Sequence, residues 1–257
     1  MRKFIAAIMV AGATLVAGSA VAADFPYYPP VIEIPDVDYG VQSSFYLRGS
    51  AAGNALWAKE ANAYECVTCT TLGEPGTVLT QFPFETWGYG YSVGAGFGYE
   101  TGTGLRFDAT IDYVDNDGLS VIKGPEFGTR AGEYTARLRT GLALANAYYD
   151  FSFGDYGYGA AGGAFGYVGA GAGIAHNRFD ITSPATSTSP ADSGSNTSPA
   201  LAAMVGVGYD FGSVVADIGY RGVYIAQIGN GLDAPLDIYT NNNWLHEIRT
   251  SLRYRFN

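Results

Sequence analysis

The stretch from Trp244 to Phe256, WLHEIRTSLRYRF, alternates two kinds of residue without a slip. Its even positions are mainly apolar or aromatic, and its odd positions carry most of the charge. Because successive side chains of a β-strand point to opposite faces, this stretch predicts a strand with one apolar face and one charged face. Strands of membrane barrels have this pattern, with the apolar face toward lipid and the polar face inward.

Seven further segments alternate in the same way, so we predict an all-β fold, an eight-stranded antiparallel transmembrane β-barrel. The candidate strands are residues 43–57, 87–100, 104–115, 133–150, 159–175, 200–212, 214–225 and 244–256. Tight glycine-rich turns join the second strand to the third, the fourth to the fifth and the sixth to the seventh, whereas the other connections are long. Short periplasmic turns and long extracellular loops are the usual layout of an outer-membrane barrel.

The N-terminal residues predict export. Two basic residues precede an apolar run over residues 4–18, and small residues follow at 20–23, as in a secretory signal peptide. We therefore expect a cleaved signal peptide over residues 1–22, a proline-rich periplasmic lead-in over 23–42 and the barrel over 43–257. The predicted location is the cell outer membrane.

The charge balance excludes one class of partner. The chain has 14 Lys and Arg against 24 Asp and Glu, a net charge of -10. Without residues 1–22, which hold two of the basic residues and no acidic one, 12 basic residues face 24 acidic ones and the net charge is -12. Nucleic-acid-binding proteins need a basic footprint, so we expect no nucleic-acid partner.

The polar face of the strands predicts a charge network in the lumen. In the fourth strand this assignment turns Arg137 and Arg139 inward and Leu138 and Leu142 outward. An eight-stranded barrel has an interior about wide enough for side chains to fill, so we expect a closed lumen and no wide pore. The predicted network consists of Arg48, Arg106, Asp108, Asp112, Arg137, Arg139, Asp217, Arg221, Glu247, Arg249, Arg253 and Arg255.

Aromatic residues fall at both ends of the predicted strands, where they would form two girdles at the membrane interfaces. The girdle at the loop ends consists of Trp57, Trp87 and Trp244, and the girdle at the turn ends of Tyr99, Tyr209, Tyr254 and Phe256.

Cys66 and Cys69 are the only cysteines and lie in the first long loop. Outside the cell they can form a small disulfide that closes the loop tip. A zinc site needs about four ligands, and His176 and His246 are the only histidines. We therefore expect neither a metal nor a cofactor.

The residue pattern also argues against catalysis. A Ser-His-acid hydrolase needs its histidine within reach of both the serine and the carboxylate. Strand parity instead sets His246 on the opposite face from Glu247 and Ser251. The region 177–199 is a Ser, Thr and Pro-rich tract, which we expect to form an exposed loop without a core. The sequence thus predicts no catalytic residue and no enzyme.

The segments NAYYDF (146–151) and YVGAGAG (167–173), with the signal peptide and the lead-in, resemble the small outer-membrane β-barrel proteins of alphaproteobacteria. These are porin-like surface antigens of Brucella and Rhizobium type, with a barrel similar to the OmpA membrane domain. The resemblance implies an abundant envelope protein that supports outer-membrane integrity. Tyr254 and Phe256 are similar to the family's C-terminal assembly signal, although Asn257 follows the aromatic residue on which the family usually ends.

Together these observations predict a non-enzymatic outer-membrane barrel with a structural and surface-exposed role. The expected partners are outer-membrane lipid and lipopolysaccharide, the barrel assembly machinery during folding, and host or phage surfaces that meet the loops. Two alternatives remain open from sequence. One is a narrow porin-like channel for small solutes, and the other is a soluble secreted β-barrel that binds a ligand in an apolar cavity.

Overall fold

Ten β-strands form the described part of the chain, in a computed structural model that describes residues 43–66, 68, 72–124, 131–153, 163–182 and 193–256. The strands are β1 (Ser44–Trp57), β2 (Glu60–Cys66), β3 (Thr77–Pro83), β4 (Gly88–Glu100), β5 (Leu105–Lys123), β6 (Gly132–Ser152), β7 (Gly163–Thr182), β8 (Gly194–Asp210), β9 (Val214–Gly229) and β10 (Ile238–Phe256). No helix among these residues is long and apolar enough to cross a membrane. The predicted signal peptide, the lead-in and Cys69 lie outside the described residues.

Eight of the strands close into a ring, which confirms the predicted eight-stranded antiparallel barrel. Each of β4 to β9 pairs antiparallel with the next, and β1 pairs with both β4 and β10. The other two strands, β2 and β3, form a hairpin in the connection from β1 to β4. This hairpin joins the ring through a short pairing of Ile238 and Tyr239 on β10 with Ala63 and Asn62 on β2.

The strand register descends by ten residues in one circuit of the ring. A row of directly opposed residues starts at Arg178 on β7 and runs through Arg139, Asp115, Tyr91, Gly53, Ile248, Tyr220 and Val205. It returns to β7 at Val168, ten residues from its start. Such a stagger is what closes tilted strands into a barrel. Over eight strands, the row therefore descends 1.25 residues per strand on average.

The two ends of the barrel differ. At the end that we call the turn end, Thr101 donates its backbone N–H to the carbonyl of Leu105 at 2.9 Å to close the β4–β5 turn. Gly102 and Gly212, in the turns before β5 and β9, have φ of 76° and 94°, a conformation that side chains with a Cβ rarely adopt. The opposite end, which we call the loop end, carries the β2–β3 hairpin and the other three connections.

The strands extend further at the loop end than the sequence predicts. β5 continues to Lys123, and β7 and β8 extend into the region 177–199, which is therefore largely strand where it is described. In the extension of β8 both faces are polar, and in those of β5 and β7 the inward face carries the buried Leu119 and Phe179, so the pattern of charges inside and apolar residues outside is lost although the backbone pairing continues. A bulge between Asn116 and Leu119 also shifts the pairing of β5 with β6 and reverses its parity.

The hydrophobic core lies inside the barrel, toward the loop end. These apolar side chains fill the interior toward the loop end, beyond the charged groups that are described below, together with buried polar residues such as Asn54 and Asn116. This apolar layer consists of Leu56, Val114, Leu138, Leu142, Leu144, Val223, Ile225 and Leu245, all of them buried.

Candidate functional site

The middle of the lumen is built around Arg221 on β9. Its Nη1 donates to Asp112 on β5 at 2.7 Å, and its Nε donates to Glu247 on β10. Glu247 also accepts a hydrogen bond from the hydroxyl of Ser92 at 2.5 Å, and Arg249 donates to Asp112 at 3.2 Å. These side chains come from four strands and are buried. Buried carboxylates and guanidiniums are tolerated only when they are paired in this way, so the network ties the four strands together.

A second network lies nearer the turn end, around Asp108 on β5. Its carboxylate accepts hydrogen bonds from Arg48 at 3.1 Å, from Tyr46 at 3.0 Å and from Asn146 at 2.7 Å. Arg48 also donates to the hydroxyl of Tyr148 at 2.7 Å. Both carboxylate oxygens of Asp108 thus accept hydrogen bonds, one from β1 across the lumen and one from the neighbouring β6.

The mouth of the lumen at the turn end is closed by further ion pairs. Arg255 donates to Glu100 at 2.7 Å and to Asp210 at 2.5 Å, and Arg253 donates to Glu100. Asp217, which was also predicted in the network, accepts a hydrogen bond from Ser251 at 2.6 Å. Charges thus occupy the lumen from its middle to its turn end.

Arg137 and Arg139 do not belong to this network, and their predicted inward orientation is wrong. Both lie on the outer wall, and their side chains are 49% and 39% exposed. The inward face of β6 carries Leu138, Leu142 and Leu144 instead, as part of the apolar layer. The error arose because charged residues face the lumen only where the outer wall is apolar. Arg137 and Arg139 lie on the part of β6 that extends beyond this apolar zone.

Several lumen residues were missed from sequence. Asp150 on β6 forms a two-pronged ion pair with Arg106, with both distances 3.0 Å. The guanidinium of Arg106 also lies 3.9 Å from the centre of the Tyr148 ring. Asp150 and Tyr148 share the inward face of β6 with Asn146. The correct assignment of the two faces of β6 would therefore have placed both of them in the lumen. Tyr167 lies over Gly219, where a Cβ would come within 2.4 Å of its hydroxyl, so the glycine makes room for the ring.

The outer wall carries a broad apolar belt. Apart from Asp115, which borders the upper edge beside Tyr113, no Asp, Glu, Lys or Arg side chain of the described strands points outward between the levels of Trp244 and Tyr254. Soluble monomers rarely expose an apolar area of this extent. Large exposed residues of the belt include Leu47, Tyr91, Val93, Phe97, Phe107, Ile111, Val168, Ile174, Leu201, Val205, Val207, Ile218, Ile248 and Leu252.

The predicted girdle residues border this belt, and all of them are exposed. At the loop end, Trp57 lies directly opposite Trp244, and Trp87 stacks on His246 with ring centres 5.8 Å apart. At the turn end lie Tyr99, Tyr209, Tyr254 and Phe256.

The candidate catalytic and metal residues are dispersed. His246 contacts Tyr220 on the outer wall at 2.5 Å, whereas Glu247 and Ser251 are buried in the lumen. His176 lies on the outer wall and bonds Thr197 at 2.9 Å. Of the proposed disulfide, the described residues include only the backbone of Cys66, at the end of β2.

No protein-family model and no curated protein matches the sequence. Similar solved structures include the Neisserial surface protein A, with 21% identity over 84% of this chain and 99% of that chain and a TM-score of 0.45. The outer membrane protein OprG from Pseudomonas aeruginosa is 14% identical over 83% of this chain and 96% of that chain, with a TM-score of 0.44. The attachment invasion locus protein Ail of Yersinia pestis is 13% identical over 83% and 98%, with a TM-score of 0.37. Because these TM-scores are all below 0.5, the fold is assigned from the strand pairing of this chain and not from the similarity.

Proposed function

We propose that this chain is an integral outer-membrane protein whose apolar belt lies in the hydrocarbon layer. The observation that carries the proposal is the inverted distribution of polarity, with charges inside the barrel and large apolar side chains outside it. In water this arrangement would expose the belt and bury the charges, both at a cost. In a bilayer, the apolar side chains of the outer wall contact lipid, and the charged side chains stay paired in the lumen.

The height of the belt supports a membrane location. Trp244 lies ten residues from Tyr254 along β10, and Trp87 lies twelve residues from Tyr99 at the end of β4. At about 3.3 Å per residue and a strand tilt of about 40°, these separations correspond to a belt roughly 25–30 Å high. The hydrocarbon core of a bilayer has about this thickness.

We further propose a structural, non-enzymatic role, with any recognition at the loop end. The lumen supports this role because it is closed twice, by the apolar layer and by the charge networks below it. The channel alternative requires an open path, whereas the side chains that fill the lumen, among them Leu142, Ile225 and Arg221, are buried. The soluble ligand-binding alternative requires an apolar cavity with charges in water, which is the reverse of the arrangement around Arg221 and Asp112.

Within this class, we propose the small-barrel family of alphaproteobacteria with a surface-antigen role. Support comes from the sequence, in the segments 146–151 and 167–173 and in the exported N-terminal pattern. The expected contacts with lipopolysaccharide, assembly machinery, and host or phage surfaces follow from that resemblance.

Membrane fractionation and depth-dependent quenching test the proposal. The protein should stay in the membrane after carbonate washing, and bromine-labelled lipid chains should quench the fluorescence of Tyr91 more than that of a tyrosine placed in the lumen. Release by carbonate would refute the membrane location. Planar-bilayer recordings should give no stable conductance steps, and selective steps would favour the channel alternative instead.

A further inference from the structure

Three arginines form a compact group on the outer wall at the loop end, which we call the arginine rim: Arg137, Arg139 and Arg178. Arg139 on β6 lies directly opposite Arg178 on β7. Arg137 pairs with Asp115 at 2.7 Å. Asp180 accepts from both Arg139 at 2.5 Å and Arg178 at 3.5 Å. One carboxylate therefore serves two guanidiniums.

The grouping of exposed cationic side chains here is unusual for so acidic a chain. Among the described basic residues, six arginines are committed to the lumen and Lys123 is largely buried. Only Lys59 and the arginine rim present exposed cationic side chains in the described part. Arg130 lies outside the described residues. Three of the four exposed cations thus occupy one patch.

The arginine rim lies at the level of the tryptophan girdle. When the descent of 1.25 residues per strand is taken into account, the three arginines and the three tryptophans fall within a band about three residues high. This is roughly 10 Å along a strand, or about 7–8 Å of height at a tilt of about 40°. The headgroup region of one leaflet is about 5–8 Å thick.

The rim also replaces the girdle on its side of the barrel. Aromatic residues occupy this level on β10, on β1 and just before β4, whereas β6 and β7 carry the arginines there. The next outward residues below are Gly141 and His176, and Ala143 and Ile174 beneath them already belong to the apolar belt. The guanidiniums therefore stand at the boundary between the belt and the polar loop end.

We propose that the arginine rim binds the phosphate groups of the glycolipid in the outer leaflet. The inference rests on the proposed function, because it needs the girdle to lie at the outer membrane surface. Guanidinium groups present five donors in a planar fork that matches phosphate oxygens, and the carboxylates engage only some of them. The Nε of Arg139 is buried and has no hydrogen-bond partner among the described residues. A phosphate that bridges Arg139 and Arg178 would displace Asp180 from these two arginines or bind them beside it.

A purely structural role for the rim predicts something different. In that case its ion pairs with Asp115 and Asp180 hold the strand extensions together, and removal of either partner has the same effect. In a lipid-binding role the acidic partners compete with the phosphate. Loss of the arginines then weakens lipid binding, and loss of Asp180 strengthens it.

The test uses the full chain folded in vesicles or nanodiscs of phosphatidylcholine. Bound glycolipid is counted by native mass spectrometry, with bisphosphorylated lipid A compared with the same lipid stripped of both phosphates. We expect the wild type to prefer the phosphorylated form about tenfold or more, since hydrogen bonds to charged groups contribute at this scale. The triple variant R137Q/R139Q/R178Q should lose that preference, and D180N should increase it.

Two control variants make the outcome specific. K59Q removes an exposed cation at the same end of the barrel and should leave the preference unchanged. R137K/R139K/R178K keeps the charge without the planar fork and should retain part of it. An inserted, heat-modifiable triple variant that binds phosphorylated lipid as the wild type does would overturn the inference. So would a wild type without any preference. Failure of the wild type to insert would instead refute the membrane location.

Discussion

Trp57 lies directly opposite Trp244 in the pairing of β1 with β10, although 187 residues separate them in the chain. The two rings project from the strands that close the barrel, at the height where the outward residues change from apolar to polar. Amphipathic rings of this kind favour the membrane interface. The pair therefore marks the upper limit of the belt at the seam of the ring.

Ile248→Arg should destabilise the membrane-folded protein by about 2–4 kcal/mol, because Ile248 is an exposed belt residue four positions below Trp244, toward the midplane. Asn241→Arg is the matched control on the same strand, since Asn241 is exposed above the girdle. Urea titration of vesicle-folded protein, followed by its heat-modifiable migration, measures both. Equal stability of the two variants would contradict the assigned position of the belt.

Arg221→Met should cost about 3–5 kcal/mol, because it leaves Glu247 buried without its guanidinium partner. A second change, Glu247→Gln, should recover part of the loss, since it removes the uncompensated charge. The same urea titration applies. Arg137→Met, on the exposed outer wall, should change stability much less. A similar loss of stability in both variants would contradict the outward orientation of Arg137.

Gly219→Ala should destabilise the barrel by about 1–3 kcal/mol through overpacking. The added Cβ would lie 2.4 Å from the hydroxyl of Tyr167 and 2.5 Å from the carbonyl oxygen of Val205. Tyr167→Phe in the same chain should relieve only part of the strain, since the backbone contact remains. Gly49→Ala serves as the control, because nothing lies within 4 Å of its added Cβ. Refolding yield into vesicles distinguishes the variants, and equal yields would refute this packing.

Lys123→Met should loosen the β2–β3 hairpin without unfolding the ring. Lys123 pairs with the buried Glu65 and lies 4.4 Å from the centre of the Phe82 ring, so it fastens the hairpin to β5. Limited proteolysis read by mass spectrometry should show faster cleavage within residues 58–87. Lys59→Met removes an exposed lysine next to the hairpin and should leave that rate unchanged. A hairpin equally protected in both variants would disprove the role of Lys123.

The sequence was most informative where one side of a strand meets lipid and the other meets charge. In β10 the two faces differ at almost every position, so strand, parity and the inward placement of Arg249 and Arg253 were all readable. In β6 the outward residues from 143 to 147 are alanines and the inward ones include leucines, so both faces are apolar. Parity then rested on the two arginines, and these lie beyond the belt.

By itself the sequence determined the fold class and the eight barrel strands, because a two-residue period follows directly from strand geometry. Only the tertiary structure decided which charges meet, that Asp150 pairs with Arg106, and that leucines close the upper lumen. It also brought Arg139 beside Arg178 at the level of Trp87. These relations depend on the register and stagger of the closed ring, which join residues far apart in the chain and leave no local periodic trace.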